Sequence, residues 1–347
     1  MKRILLIPGD GIGPEVMAHA QNLLEALNQS RGLKFILTQV DWGAERWLKE
    51  KIGIPAGELA EIPKKYDAIL FGALGDPRIP DMAHGREILL GLRTGLDLFI
   101  NLRPVKLLDE SLGIFKSLVN IDLVIFRENT QDSYIGAGGT LNPNTDQEVA
   151  IDESIHSYMG VERIISEAFL YAQRHQRSLV TLVDKSNAIR FGGSLWQRVF
   201  KSVAKKYPQI RAEHRFVDVA AMQMVQDPTL FDVIVTSNLF GDILSDLGAG
   251  ITGGLGLAAS ANINPKSIAL FEPVHGSAPD IVGENKANPF AMFMSVAMMM
   301  DYFGFTQEAR DIEKAVKYSI AQRNTTPDLG GTLSSMAAAQ GIIKQLI

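Results

Sequence analysis

The sequence predicts an α/β fold of two domains built on largely parallel β-sheet, and three observations carry that prediction. The chain has 347 residues, more than one hydrophobic core ordinarily organises, so two domains of about 150 to 200 residues each are expected. Short apolar runs alternate with amphipathic stretches of helical period, the pattern of strands joined by crossover helices. The composition, 46% hydrophobic and 21% charged, is that of a soluble globular protein.

The elements follow in order along the chain. KRILLI from Lys2 ends at Pro8 and Gly9 with no small-residue cleavage site, so it reads as a first strand rather than a leader. A helix is expected from Pro14 to Ala26. DAILFGAL, IDLVIF, LVTLVD, FDVIVTS and SIALFEP read as further buried strands, and Val161 to Arg174 as an amphipathic helix. The most apolar segment, Pro289 to Met300, is closed by Asp301; it falls well short of the ~18 to 20 residues that span a bilayer and reads as a buried helix. Between Tyr134 and Ile151 the texture changes: IGAGGTLNPNTDQEVAI fits either a long solvated loop or a β-ribbon arm reaching toward another subunit. No repeat, low-complexity tract or charge run is present.

Composition also limits the function classes. A net charge of −5 gives no electrostatic reason to bind nucleic acid or an anionic membrane surface. Positive charge must be local if the ligand is an anion. The chain has no cysteine, which excludes disulfides, thiolate metal sites and a cysteine nucleophile. A cytoplasmic protein is expected.

Five constellations carry chemistry. Asp242 and Asp246 in GDILSD stand at i and i+4 and so share a helix face, with Ile243 and Leu244 expected to turn toward a core. Together with Asp218 they offer oxygen ligands for Mg²⁺ or Mn²⁺, against the alternative of a solvated surface. Gly9-Asp10-Gly11-Ile12-Gly13-Pro14-Glu15 follows the first strand; its glycines permit close backbone approach, and a tight turn without a ligand explains it nearly as well. Arg93, Arg103 and Arg127 form a set whose guanidinium forks could clamp a dicarboxylic acid. Tyr134 and Lys185 are candidates to deliver and to take a proton. The turn-rich string Glu272 to Ile281, followed by Asn288, places His275, Ser277, backbone amides and Asp280 in one loop. An acidic residue there can accept from both hydroxyls of an adenosine ribose and would repel a 2′-phosphate.

GDGIGPE, LRP at 102–104, RENT at 127–130, the lysine in DKSN, SNLFGDILSD at 237–246 and FEPVHGSAPDI at 271–281 resemble, in order and over nearly the whole chain, the β-decarboxylating dehydrogenases. That family includes isocitrate, homoisocitrate, 3-isopropylmalate and tartrate/D-malate dehydrogenases. The resemblance implies a two-domain fold with a parallel or mixed sheet, not a Rossmann fold. It implies a discontinuous NAD-binding domain over 1–98 and 252–347, and a central dimerisation domain over 99–251 with an arm around 135–151. It implies NAD held by Ile12, by His275, Gly276, Ser277, Ala278, Pro279, Asp280 and Ile281, and by Asn288. Arg93, Arg103 and Arg127 match the arginines that hold the malate part of the substrate. Tyr134 and Lys185 match the catalytic pair, and Asp218, Asp242 and Asp246 match the ligands of Mg²⁺ or Mn²⁺. Lys185 and Asp218 are implied to come from the partner, in an active site shared across a homodimer. Where many members carry an acidic residue and glycine after RENT, this chain has Gln131-Asp132.

The reaction implied is NAD-dependent oxidation of a 2-hydroxy dicarboxylate at C2 with loss of the carboxylate on C3. Arg86, Leu89, Leu90 and Arg93 fall at i, i+3, i+4 and i+7, so one helix face is expected to meet the C3 substituent. The position matching Leu89 is polar in isocitrate dehydrogenases, and the one matching Leu90 tends to be arginine in homoisocitrate dehydrogenases. Two leucines disfavour an extra carboxylate and favour the branched alkyl group of 3-isopropylmalate, as in leucine biosynthesis. GAGG after Tyr134 and ESIHSYMGVERI look instead like the tartrate/D-malate branch, and Glu87 stands one residue after the position where 3-isopropylmalate enzymes usually carry a glutamate. A non-catalytic regulatory paralogue is the alternative from another class; it would lack some of the tyrosine, lysine and metal carboxylates present here.

Overall fold

The computed structural model describes residues 1–115 and 120–347. Among the described residues twelve strands are formed. In chain order they begin with β1 (Lys2–Gly9), β2 (Phe35–Gln39), β3 (Ala68–Ala73), β4 (Ile100–Lys106), β5 (Asp122–Glu128) and β6 (Gly138–Leu141). There follow β7 (Val149–Asp152), β8 (Leu179–Asp184), β9 (Arg211–Phe216), β10 (Val233–Thr236), β11 (Ala259–Ile263) and β12 (Ala269–Pro273). Backbone contacts divide the chain into two compact units. The first takes 1–98, 249–347 and, among the described residues, 107–115; the second takes 99–106 and 120–248.

Relative to the central span 99–251 expected from the sequence, residues 107–115 and 249–251 group with the first unit. A local reason is visible: Leu112 lies against Gly253, where a Cβ would stand 3.1 Å from the leucine Cβ.

The first unit joins both ends of the chain. Its strands run β2-β1-β3-β12-β11; the first three pairings are parallel and β11 with β12 is antiparallel. The expected strands at Lys2, Ala68 and Ala269 are the apolar centre of this order, and β1, β3 and β12 are buried almost throughout. Leu5, Ile7, Ile69, Phe71 and Leu270 from the strands meet Ile88, Leu92 and Leu96 in one core, each such buried side chain contributing about 1.5 to 3 kcal/mol. The apolar segment forms helix Phe290–Tyr302, with Phe290, Phe293 and Met299 fully buried. Among the described residues no helix is long and apolar enough to cross a membrane.

The second unit runs β4-β5-β10-β8-β9, parallel except for β4 against β5. Helix Tyr158–Arg174 buries Val161, Ile164, Ile165, Ala168 and Phe169, the i, i+3, i+4, i+7 stripe read from the sequence. The stretch after Tyr134 is a ribbon: β6 and β7 pair antiparallel, Thr140 opposite Ala150, and every residue of both strands is exposed. Strands β2, β4, β9 and β11 were not expected. β2 and β9 are mostly solvated, β11 is built of small and polar residues, and β4 buries polar Asn101 and Arg103 where an apolar run was sought.

Two local expectations are corrected. Ile243 does not turn toward a core: it is 55% exposed while Leu244 is fully buried, because adjacent helical residues diverge by about 100° and only Leu244 lies on the packed side. The segment before Arg93 is not one α-helical stripe either. Ala83–Gly85 passes into a π-turn at Arg86–Leu90 before α-helix resumes at Gly91–Gly95, and such a turn shifts every later side chain around the axis. Arg86 consequently points to solvent and pairs with Asp81 at 3.5 Å, whereas Arg93 is buried.

Candidate active site

A cluster of charged side chains in the second unit centres on Asp242, in the second turn of helix Asn238–Ile251. Its Oδ1 accepts from the Arg127 guanidinium and lies 3.5 Å from Arg103; its Oδ2 accepts from the Tyr134 hydroxyl at 2.6 Å. Arg127 stands at the end of β5, also donates to Asn238 at 2.8 Å, and lies 4.9 Å from the Tyr134 ring centre. Glycine is required at 241: a Cβ there would sit 2.5 Å from the Arg127 side chain. Arg103, inward on β4, is held by Asn101 at 2.7 Å and Ser245 at 2.6 Å and reaches Asp246 at 3.4 Å. Two almost fully buried arginines thus face two carboxylates on a single helix face, and the Tyr134 phenol reaches the same cluster from the turn Asp132–Ile135.

Asp246 holds its proton more tightly than an ordinary carboxyl, chiefly because of burial and also because of Asp242, with Arg103 and Arg127 opposing. Two carboxylates one helical turn apart, one of them reluctant to ionise, form a donor set that suits a hard divalent cation. Asp218 does not join them within one chain: among the described residues no group of three or more His, Asp or Glu is placed to hold a metal ion. Asp218 opens helix Val217–Gln226 and accepts from Lys185 at 2.6 Å, which lowers its pKa. Lys185 follows β8 directly, and its turn is fixed by buried Asp184, which accepts from the Ser186 amide at 3.0 Å and meets His214 at 2.8 Å.

In the first unit the glycine-rich turn and the Glu272–Ile281 loop are brought together. The Ile12 amide donates to the Ser277 carbonyl at 2.9 Å. Gly11 has φ +59, and a Cβ there would stand 2.0 Å from that carbonyl, so no other residue fits. Asp10 pins the same turn, accepting from Ala44 at 2.6 Å and Gly75 at 3.0 Å and meeting His84 at 2.9 Å. Burial lowers the pKa of His275; its Nδ1 donates to the Gly276 carbonyl at 3.0 Å, and its buried Nε2 has no hydrogen-bond partner. Gly276, Ala278, Pro279, Asp280 and Ile281 line the outer part of this loop, with Asp280 exposed. Asn288 accepts from the Phe290 amide at 2.9 Å and donates to Asp328 at 2.8 Å. An orphaned buried nitrogen beside turn amides and an exposed carboxylate suits an adenosine moiety.

Arg93 is paired with buried Glu272 at 3.0 Å. Leu89 packs against the first unit's core, while Leu90 is half-buried and outside it. Glu87 accepts from the Gly53 and Ile54 amides at 2.7 and 3.3 Å, which fixes the π-turn to the neighbouring loop.

Sequence reasoning gave no role to Glu272, Asn238, Ser245 or Asp132. A carboxylate inside the apolar run ALFEP was a usable signal for Glu272, since a buried charge needs a partner. Asp132 is buried and has φ +70, and only the Gln131-Asp132 departure hinted at it. Burial opposes its ionisation, yet hydrogen bonds from Ser154, the Leu239 amide and Ser237, together with His156, hold its carboxyl below the usual range.

The chain is similar to curated proteins named 3-isopropylmalate dehydrogenase. That of Frankia casuarinae is 45% identical over 326 residues, covering 92% of this chain and 93% of the relative. That of Streptomyces griseus is 44% identical over 343 residues, covering 97% and 98%. A crystal structure of isocitrate dehydrogenase from Methylococcus capsulatus superposes with a TM-score of 0.91 at 38% identity, covering 100% of this chain and 99% of that one. The family model described as isocitrate/isopropylmalate dehydrogenase matches residues 3–346, and the chain belongs to that family.

Proposed function

We propose that the protein catalyses NAD-dependent oxidative decarboxylation of 3-isopropylmalate to 4-methyl-2-oxopentanoate, in the cytoplasm, as a step of leucine biosynthesis. The observation that carries the reaction class is the cluster around Asp242. Arg103 and Arg127 have their charge met by Asp242 and Asp246; a dicarboxylate arriving with a divalent cation exchanges these partners with charge conserved. The near full-length relatives and the Leu89-Leu90 pair support the isopropyl substituent.

Bound Mg²⁺ or Mn²⁺, held by Asp242, Asp246 and Asp218, would polarise the 2-hydroxyl and steady the charge left by decarboxylation, while bound NAD would accept hydride from C2. Arg103 and Arg127 orient the malate carboxylates, with Arg93 assigned to the same task by its sequence match. Lys185 takes the hydroxyl proton. After CO₂ leaves C3, Tyr134 gives its proton to that carbon, and Asp242, to which the phenol already donates, fixes the direction of the O–H bond. His275, Asn288 and the 276–281 loop bind the adenosine end.

Asp280 carries no compensating cation within its loop, so a 2′-phosphate meets unrelieved repulsion. Steady-state assays with 3-isopropylmalate are expected to give a kcat/KM for NAD about a hundredfold or more above that for NADP; parity would remove Asp280 from the ribose site, and no turnover at all would remove the functional reading.

A homodimer with a shared site is part of the proposal. Lys185 and Asp218 pair with each other, and Phe191, Met159, Leu141 and Ile243 are 86%, 66%, 57% and 55% exposed, individual apolar side chains that a partner would cover. Mixing inactive Lys185→Ala and Tyr134→Phe chains should restore part of the activity through hybrid dimers. Verified subunit exchange with no recovery would place the site within one chain.

A further inference from the structure

Asp132 occupies a left-handed backbone conformation, φ +70, that is unfavourable for a residue with a Cβ. Its carboxylate is also buried. Aspartate tolerates this region better than most residues, and the contacts of its buried side chain show which elements it holds together. Oδ1 accepts from the Ser133 amide at 2.9 Å and from the Ser154 hydroxyl; Oδ2 accepts from the Leu239 amide at 3.1 Å. The Asp132 amide donates to the Ile155 carbonyl at 2.9 Å.

The Ser133 amide belongs to the short turn Asp132–Ile135 that carries Tyr134. The Leu239 amide is in the first turn of helix Asn238–Ile251, which carries Asp242, and a carboxylate there satisfies an otherwise unpaired amide and complements the helix dipole. The Tyr134 to Asp242 hydrogen bond therefore has both of its ends fixed by one carboxylate. Behind it the donors run in one direction. Trp196 donates to His156 Nδ1 at 3.3 Å, so neutral His156 carries its proton on Nε2, which donates to Ser154 at 2.9 Å and leaves the Ser154 hydroxyl to donate to Asp132. Burial lowers the pKa of His156, with Asp132 opposing, and so favours the neutral ring over the charged one. Gln131 seats the turn from the other side, accepting from the Ser157 amide at 2.8 Å and donating to its hydroxyl at 2.6 Å.

We infer that Asp132 is a positioning residue for the proton-delivery step: through its two oxygens it sets the separation of the Tyr134 turn and the Asp242 helix, backed by the Ser154, His156 and Trp196 chain. The inference rests on the reading of Tyr134 as the proton donor, and its test has an arm that does not.

Asp132→Gly keeps the left-handed backbone and deletes the carboxylate, which separates a backbone requirement from the tie. Kcat with 3-isopropylmalate and NAD is expected to fall about 10- to 100-fold, the range for displaced catalytic groups, with KM changed less than about threefold. Asp132→Asn keeps one acceptor oxygen but sets its NH2, a donor, against either the Leu239 or the Ser133 amide, so it should recover only part of the loss. Hydrogen exchange on the same proteins should quicken together in segments 131–136 and 238–243 of the glycine variant. Wild-type kcat in Asp132→Gly, or exchange confined to one segment, overturns the inference; if the glycine variant does not fold, Asp132→Asn carries both measurements with smaller expected changes. Were the wild type inactive on every malate derivative, the functional reading would fail, and the exchange experiment would still decide whether Asp132 joins the two elements.

Discussion

Asp242→Asn is expected to lower kcat with 3-isopropylmalate by about a hundred- to a thousandfold, the range seen when a preorganised charge-stabilising group is removed. Asp242 is the node at which Arg127, Arg103 and Tyr134 meet, so the substitution acts on three functions together. It takes one negative charge from the proposed cation site, it removes the ionic acceptor that directs the Tyr134 hydroxyl, and it leaves Arg127, which is 1% exposed, short of anionic charge. The loss of stability should be much smaller than the loss of rate. The Asp242 side chain is 37% exposed, solvent therefore screens its ion pairs, and asparagine retains one oxygen acceptor of the same shape. The measurements are kcat across a Mn²⁺ titration and Tm of the same preparation. A shift of a few degrees in Tm with a collapse of kcat and a raised Mn²⁺ requirement supports the assignment; wild-type kcat would falsify it.

What could be read from the sequence divides along a physical line. The Asp242 and Asp246 pair was legible because i, i+4 spacing on a helix is enough to place two side chains on one face. The strands β1, β3, β5, β8, β10 and β12 were legible because they are buried on both faces and spell continuous apolar runs. Four features lay outside that reach. β4 carries buried Arg103 and Asn101, whose burial is tolerated only because Ser245, Asp246 and Asp242, about 140 residues later, receive the guanidinium. The π-turn at Arg86–Leu90 breaks the assumption of 3.6 residues per turn on which the four-residue stripe rested. Asp132 takes a backbone conformation that aspartate seldom adopts, held by partners 22 and 107 residues away. Ile243 looked like core because it is apolar, and in one chain its side of the helix is solvated.

The same π-turn bears on the proposed substrate. Leu89 is engaged in the first unit's core, whereas Leu90 is half-buried outside it, and in the proposed function Leu90 is the side chain that meets the C3 substituent. The expected order of kcat/KM is D-malate, then 3-methylmalate, then 3-isopropylmalate. Three added carbons at about 1 kcal/mol each amount to roughly two decades across the series. Leu90→Ala should flatten that gradient, chiefly by weakening turnover of the isopropyl compound, and Leu89→Ala should cost stability first because it opens a hole in the core. The measurement is a steady-state comparison of these acids with tartrate, isocitrate and homoisocitrate at saturating NAD and Mn²⁺. Preference for D-malate or tartrate would mean that Leu90 does not form an apolar wall. Preference for a tricarboxylate would require a cation at the same turn, and the only one there, Arg86, is solvated, paired with Asp81 at 3.5 Å and bonded to its carbonyl at 2.6 Å. Those contacts must break before Arg86 can receive a third carboxylate, so an alkyl substituent is the better match to this turn.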